Sequence, residues 1–309
     1  MKKLVFCLFL GGFILAGCRK ETKITLNEEG NIEILFSAQS LSSSLLKSTA
    51  TSDEQTVNEI ILFGVDGSDN IVQNAITGGG TYFKTLSGLE LIDALELSTK
   101  LTIARKVASL YAIANPSSAH KSATPANVTN LLALTESFTT APESPFLMSG
   151  SGEVNHGLKT VIIELIRAVA KIELKSVTGS GFEITSVTVL NTPRIGFVFE
   201  QTAFGIPSTP NRGSYVAVSS SAPILYVAES PGSSSPQTSF SVTGTYEGKE
   251  ATYEVFLKKG GVELDIVRNT HYVVNISPVT ETQCTITINI VDWKDEEADI
   301  VEIPYEEFQ

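Results

Sequence analysis

The chain has 309 residues, enough for two domains of about 150 residues, each with its own core. Hydrophobic residues make up 42% of the sequence and charged residues only 18%, which excludes an intrinsically disordered protein. Its 22 Lys and Arg stand against 34 Asp and Glu, a formal net charge of −12 that excludes the basic composition typical of nucleic-acid-binding proteins. We therefore expect no nucleic-acid partner.

The first 17 residues have the pattern of an export signal. Two lysines precede an apolar run at 4–15, which is too short for a bilayer core that needs about 20 residues. The run ends in Leu15-Ala16-Gly17-Cys18, and this order of small residues before a cysteine resembles the lipobox of bacterial lipoproteins. The resemblance implies cleavage between Gly17 and Cys18, acylation of Cys18 by groups such as palmitate, and an anchor in outer-membrane lipid, to which Arg19 also points. The alternative is an ordinary secretory signal with a chance cysteine.

Beyond the signal the pattern is that of an all-β fold. Short runs with period-2 alternation or β-branched residues are separated by Gly, Pro, Ser and Asn, which is typical of antiparallel sandwiches. The predicted strands are 31–38, 59–65, 106–114, 158–163, 167–177, 183–190, 224–228, 239–246, 251–257, 272–276, 284–291 and 300–305. Asp66 and Gly67 predict a turn between the run ending at Val65 and the next one.

One or two short helices interrupt the strands. Thr124 can cap a helix, Pro125 suits its first position, and an apolar stripe continues to 135; a second short helix is expected at 94–101. Glycines at 150, 152 and 157 precede the second long series of strands. We therefore predict two tandem β-sandwich domains, 18–157 and 158–309, after a signal peptide at 1–17.

Motifs for catalysis or cofactor binding are missing. The sequence has no P-loop, no His-Glu-x-x-His, no Gly-x-Ser-x-Gly and no Cys-x-x-Cys, so we expect no enzyme activity, no cofactor and no metal. The acidic stretch at 66–70 is too short for a calcium loop and predicts a turn. Cys7 leaves with the signal, and Cys284 is expected to be a small buried hydrophobe without a disulfide partner.

Six short segments occur in one order along the chain. They are LYAIANP at 110–116, FLMSG at 146–150, RAVAKI at 167–172, YVAE at 226–229, RNTHY at 268–272 and IVDW at 290–293. Together they resemble the fimbrillins, the pilin subunits of type V pili in Bacteroidales. The resemblance implies two transthyretin-like sandwiches and a structural role in a cell-surface fimbrium. It also implies partners: other copies of the chain, other fimbrial subunits and a surface protease.

In such subunits the protease removes the amino-terminal strand, and a neighbour's strand fills the groove that is left. Residues 31–38 suit this removable strand, because Ile32, Ile34 and Phe36 project to one face. Family members are cut after an Arg in the following loop. Here the loop at 40–57 has no Arg, and Lys47 is its only basic residue, which predicts cleavage between Lys47 and Ser48. An uncut, anchor-type subunit is the alternative.

The replacement strand is expected after Trp293, at 300–308. Val301, Ile303 and Tyr305 alternate with polar residues and Pro304, a pattern that suits an added strand. The alternative is that this segment completes its own sheet. The alternative function is a tip, anchor or other non-polymerising surface lipoprotein that binds glycan or host protein.

Overall fold

The computed structural model describes residues 30–37, 53–87, 90–93, 96–158, 160–207, 211–217 and 223–293. Within these residues strands predominate, with two short α-helices, α1 (Ser118–Lys121) and α2 (Val128–Leu132). The strands of the first half are β1 (Gly30–Ser37), β2 (Glu59–Asp66), β3 (Phe83–Ser87), β4 (Glu90–Asp93), β5 (Glu96–Ile103), β6 (Val107–Ala114), β7 (Thr135–Ser137), β8 (Met148–Glu153), β9 (Thr160–Glu164) and β10 (Ile166–Arg167).

In the described part of the second half there are eleven further strands. They are β11 (Val169–Ser176), β12 (Phe182–Pro193), β13 (Ile195–Phe197), β14 (Arg212–Ala217), β15 (Ile224–Ala228), β16 (Ser239–Tyr246), β17 (Lys249–Val255), β18 (Lys258–Lys259), β19 (Val262–Glu263), β20 (Thr270–Pro278) and β21 (Cys284–Asp292).

Two sandwiches follow each other along the chain. The first packs a sheet in the order β4-β5-β1-β9 against one in the order β10-β8-β6-β2-β3. The second packs β15-β11-β20-β21 against β14-β12-β16-β17. Each sandwich encloses an apolar core of its own, which confirms the predicted all-β class.

Strand β2 is buried on both faces, which explains its run of consecutive apolar residues. Ile60 and Leu62 point into the first core, whereas Ile61 and Phe63 pack against a second cluster that includes Leu131 of α2. A strand covered on both sides loses the simple alternation of a half-exposed one. The predicted turn after it is confirmed, since the backbone N–H of Asp66 donates to the carbonyl of Asn70 at 3.0 Å.

The chain changes from one core to the other after β9. Strand β9 pairs with β1 in parallel and places Val161, Ile163 and Leu165 in the first core. Ala170 of β11 is the first residue of the second core. The division between 157 and 158 stays a prediction, and from the pairing of β9 with β1 and of β10 with β8 we propose a division between Arg167 and Ala170.

Both helix predictions need correction. A helix is expected at 94–101, but residues 96–103 form strand β5. All eight residues of β5 pair with β1, and this tertiary pairing outweighs a weak local helix preference. Helix α2 begins later than Pro125. Its cap is Asn127, whose side chain accepts a hydrogen bond from the N–H of Asn130 at 2.9 Å, and Thr124 has no such role.

Strand β8 was not predicted because its glycines hide the pattern of a strand. A Cβ on Gly150 would lie 1.9 Å from the carbonyl oxygen of Glu164, and one on Gly152 would lie 2.5 Å from that of Ile162. Both contacts are with the backbone of β9. The two strands can approach this closely only because positions 150 and 152 have no side chain.

Replacing Gly150 with alanine is expected to destabilise the chain by about 2–3 kcal/mol, because backbone atoms cannot move aside as a flexible side chain can. Urea unfolding measures the effect. Gly67→Ala is the matched control, since nothing lies within 4 Å of a Cβ at Gly67. Equal unfolding midpoints for the two variants would contradict the close approach of β8 and β9.

Candidate functional site

Strand β1 fills a space between two neighbours, which we call the slot. On one side all of Gly30–Ser37 pairs antiparallel with β5, and on the other side Glu33–Ser37 pairs in parallel with β9. The predicted strand is thus an internal strand of its sheet and not an edge strand. Its removal would leave two unpaired strand edges facing each other across the slot, and such edges are templates for another strand.

The side chains of β1 anchor it in the slot as the alternation predicts. Ile32, Ile34 and Phe36 are 2%, 0% and 1% exposed, and all three belong to the first core. Burying them contributes roughly 5–9 kcal/mol before the cost of ordering the strand. The same core cluster contains residues of the neighbouring strands and of the opposite sheet. They include Leu86, Leu101, Ile103, Leu110, Val161 and Ile163.

A second feature lies where the described chain resumes after β1. Residues Asp53–Gln55 form a 3-10 turn in which Glu54 is 1% exposed. Its carboxylate accepts hydrogen bonds from Lys171 Nζ at 2.9 and 3.2 Å and from Trp293 Nε1 at 3.2 Å. The hydroxyl of Tyr226 donates to it as well.

Arg167 contacts the backbone of Glu54 and belongs to the same cluster. Its Nε donates to the backbone carbonyl of Glu54 and an Nη donates to the side chain of Asn269, both at 3.0 Å. Its guanidinium lies 4.7 Å from the centre of the Trp293 ring, a cation–π contact. We refer to Glu54, Arg167, Lys171, Tyr226 and Trp293 as the junction.

Burial shifts the pKa values of the titratable groups in the junction and beside it. Desolvation lowers the pKa of Arg167 to about 10 although Glu54 opposes the shift, so the guanidinium stays charged at neutral pH. Desolvation and the hydrogen bond to Glu54 raise the pKa of Tyr226, which therefore keeps its proton. Burial and the neighbouring Lys171 lower the pKa of His271, which disfavours a further positive charge there.

The next residues of the chain are held by Asn115. Its side-chain oxygen accepts from the N–H of Asn58 at 2.9 Å, and its amide nitrogen donates to the carbonyls of Thr56 and Phe146, both at 2.8 Å. One asparagine thus satisfies three backbone groups at once. Residues 53–58 are consequently fixed to both sandwiches.

A second buried ion pair lies nearby. Arg268 donates to Glu229 at 2.5 Å and to the carbonyls of Phe197 and Val198 at 2.8 and 2.9 Å. Side chains of the pair are 1% and 9% exposed. Removing one partner of such a buried ion pair costs about 3–5 kcal/mol of stability. Because Arg268 also donates to these two carbonyls, the pair attaches the second sandwich to the segment around Val198.

A scan against protein-family models finds no match, and a search of curated proteins finds none either. Among solved structures, the tip fimbrial protein Mfa3 from Porphyromonas gingivalis, truncated at its carboxyl terminus, matches with a TM-score of 0.58 and 13% identity over 85% of this chain and 100% of that chain. A fimbrial assembly protein from Parabacteroides distasonis matches with a TM-score of 0.58 and 15% identity over 89% of this chain and 100% of that chain. The chain has the fold of these fimbrial proteins. The resemblance that the six segments predict is confirmed at the level of the fold.

The six fimbrillin-like segments meet in space. Each supplies a side chain to the junction or to the contacts around it, although the segments are spread along the chain from residue 110 to residue 293. This convergence gives the segments a structural explanation that the sequence alone could not provide. The contributing residues are Asn115, Phe146, Arg167, Lys171, Tyr226, Glu229, Arg268, Asn269 and Trp293.

Glu54 is a candidate site residue that sequence analysis missed. It stands in a polar stretch after a Ser-rich loop, where a carboxylate is normally solvated. Only its partners reveal its burial, and these lie 113, 117, 172 and 239 residues further along the chain. No local signal could have distinguished it from Asp53.

Several predicted site residues lie outside the residues that the structure describes. For the lipidation, cleavage and replacement-strand predictions these are Gly17, Cys18, Lys47, Ser48, Val301, Ile303 and Tyr305. Of the predicted sites, the described chain contains the removable strand with Ile32, Ile34 and Phe36. The predictions for the other residues stay predictions.

Cys284 is half-buried at the margin of the second core rather than fully buried, and desolvation raises the pKa of its thiol to about 11. In the described ranges no three His, Cys, Asp or Glu side chains come together as metal ligands would. The helices placed there are all too short or too polar to cross a bilayer.

Proposed function

We propose that this chain is a structural subunit of a cell-surface fimbrium. It is exported as a lipoprotein through Cys18, cut in the loop after β1, and polymerised when a strand of a neighbouring subunit fills the slot. The observation that carries the proposal is the position of β1: an internal strand with a fully buried apolar face, followed by a loop with a single basic residue. One cut in that loop separates the strand from the rest of the chain.

The carboxyl-terminal segment supplies a matching occupant. β1 contains Ile-Glu-Ile-Leu-Phe at 32–36, and the segment contains Val-Glu-Ile-Pro-Tyr at 301–305. In one alignment, Val301, Ile303 and Tyr305 take the places of Ile32, Ile34 and Phe36, so each pocket receives a side chain of similar size and shape. The neighbour's strand would then run in the same direction as β1.

Pro304 takes the place of Leu35 in this alignment. Proline has no backbone N–H, so one ladder hydrogen bond is missing in the exchanged strand. Leu35 lies on the outer face of its strand and is partly exposed, and the core pockets are therefore unaffected by the change. The replacement keeps the buried contacts and loses one backbone contact.

The cut is testable at the chain end. Subunits isolated from filaments are expected to begin at Ser48, because Lys47 suits a trypsin-like protease and is the only basic residue of the loop at 40–57. Mass spectrometry of the amino terminus measures this. Lys47→Gln should block processing and Lys47→Arg should preserve it. Filament subunits that retain an acylated Cys18 would instead identify an uncut anchor.

A tip subunit is the second candidate function, because the similar structure from Porphyromonas gingivalis is that of a tip protein. A surface cavity of about 520 Å³ beside the junction, whose lining includes Phe138, Glu143 and Phe146, offers a place for a small ligand such as a glycan unit. A tip needs the slot but no replacement strand. Loss of residues 300–309 would leave the function of a tip intact and abolish that of a stalk subunit.

A further inference from the structure

The junction surrounds one carboxylate with side-chain donors on or directly after three strands of a single sheet of the second sandwich. Lys171 lies on β11, Tyr226 lies on β15, and Trp293 follows β21. The charged side chains of Lys171 and Glu54 are 4% and 2% exposed. A carboxylate buried to this degree is stable only where an opposite charge and hydrogen bonds replace the lost water. Here Lys171 supplies the charge, and Tyr226 and Trp293 donate hydrogen bonds.

Glu54 also has a particular place in the chain. It lies six residues after Ser48, the first residue that the proposed cut would leave. It is the first fully enclosed side chain that the structure describes between β1 and β2. Residues 53–58, which would lie close to the new chain end, are therefore held in place before the cut is made.

Trp293 connects the same carboxylate to the other end of the chain. Its indole nitrogen donates to Glu54, and its ring stacks on Tyr226 with centroids 5.7 Å apart and an interplanar angle of 12°. The side chain is 0% exposed and packs against Phe146 and Val169. The proposed replacement strand begins seven residues after this tryptophan.

We propose that Arg167, Lys171, Tyr226 and Trp293 form a carboxylate-binding site that retains residues 53–58 in the processed subunit, with the side chain of Glu54 as its ligand. The proposal rests on the proposed function, since it assigns a role to the segment that the cut leaves behind. β1 then departs alone, while residues 53–58 stay bound and close the region between the two sandwiches. Through Trp293 the same site fixes the point from which the replacement strand leaves the subunit.

The test uses the full chain with the recognition sequence of a site-specific protease inserted between Lys47 and Ser48. Hydrogen exchange of the amides at 53–58 is measured before and after the cut, together with the fluorescence of Trp293, the single tryptophan of the chain. In the unsubstituted chain both signals are expected to stay unchanged. In Glu54→Gln the amides of the cut chain should exchange about tenfold faster or more, because the ion pair with Lys171 is lost.

Asp53→Asn is the matched control, because Asp53 is the neighbouring carboxylate and is exposed. It should behave as the unsubstituted chain does. If Glu54→Gln does not fold, the double variant Glu54→Gln with Lys171→Met removes both charges of the Glu54–Lys171 ion pair, and it should fold and still exchange fast after the cut. Loss of protection in the unsubstituted chain, or full protection in the folded glutamine variants, would overturn the proposal.

The engineered cut keeps this result separate from the proposed function. If filament subunits prove to be uncut or cut elsewhere, the fimbrial processing at Lys47 is wrong, but the retention of 53–58 by Glu54 is still measured on its own. If retention fails while natural processing at Ser48 is found, only the junction proposal falls.

Discussion

A subunit that lacks residues 300–309 is expected to fold and to be unable to extend a filament. The core residues that the structure describes lie between Ile32 and Ile288, so the deletion removes no buried contact that the structure describes. The subunit keeps a slot and can end a filament, but it offers the next subunit no strand. Electron microscopy of filament length and thermal unfolding of the monomer measure the two halves of this prediction.

A point variant makes the same prediction with less disturbance. Ile303→Asp places a charge where the exchanged strand must enter an apolar pocket, and it should shorten filaments as strongly as the deletion does. Glu302→Gln changes the neighbouring residue on the opposite face and should leave filament length unchanged. Normal filaments from Ile303→Asp would show that this segment does not fill the slot.

The second large effect is expected in β1 itself. Ile34→Asp introduces an unpaired charge at a position that is 0% exposed, which costs about 4 kcal/mol or more. The strand should then leave the slot without any cut, and the precursor should associate through the open edges of β5 and β9. Size-exclusion chromatography and hydrogen exchange of the β5 amides measure association and opening.

Leu35→Asp is the control for this variant. Leu35 is adjacent in sequence but lies on the outer face, where it is only partly buried. The two aspartates therefore differ in burial and in little else. Equal association of the two variants would mean that the buried face of β1 does not hold it in the slot.

Some strands could be read from the sequence with nearly correct bounds. The prediction 239–246 coincides with β16, and 59–65 differs from β2 by one residue. These strands have β-branched or aromatic residues on a buried face, and turn residues at their ends. Local signals and tertiary burial agree there, which is the condition under which patterns are reliable.

Other strands gave no usable signal, for two physical reasons. In β8 the glycines that permit the approach of β9 also remove the side chains from which a strand is recognised. In β5 the local sequence suits a helix as well as a strand, and pairing with β1 decides the outcome. The approach of β8 to β9 and the pairing of β5 with β1 join residues that are well separated in the chain. Local sequence patterns therefore cannot predict them.

The site divides in the same way. The buried face of β1 followed from the alternation of Ile32, Ile34 and Phe36 and is confirmed. The internal position of β1 between β5 and β9 did not follow, because alternation does not tell an edge strand from a central one. The junction depends on residues far apart in the chain, and it could be found only from their positions in the fold.

The central claim is that the carboxyl-terminal strand of one subunit takes the place of β1 in the next, and a disulfide tests it most directly. Leu35 of β1 pairs with Ser98 of β5, so a subunit with Ser98→Cys and Pro304→Cys should form a disulfide-linked ladder along the filament. The thiol of Cys284 has a pKa raised to about 11 and should not compete. Pro304→Cys combined with Thr102→Cys, four residues along β5, should form no ladder. Filaments that form no ladder with Ser98→Cys, or whose subunits still contain residues 30–37, would contradict the account.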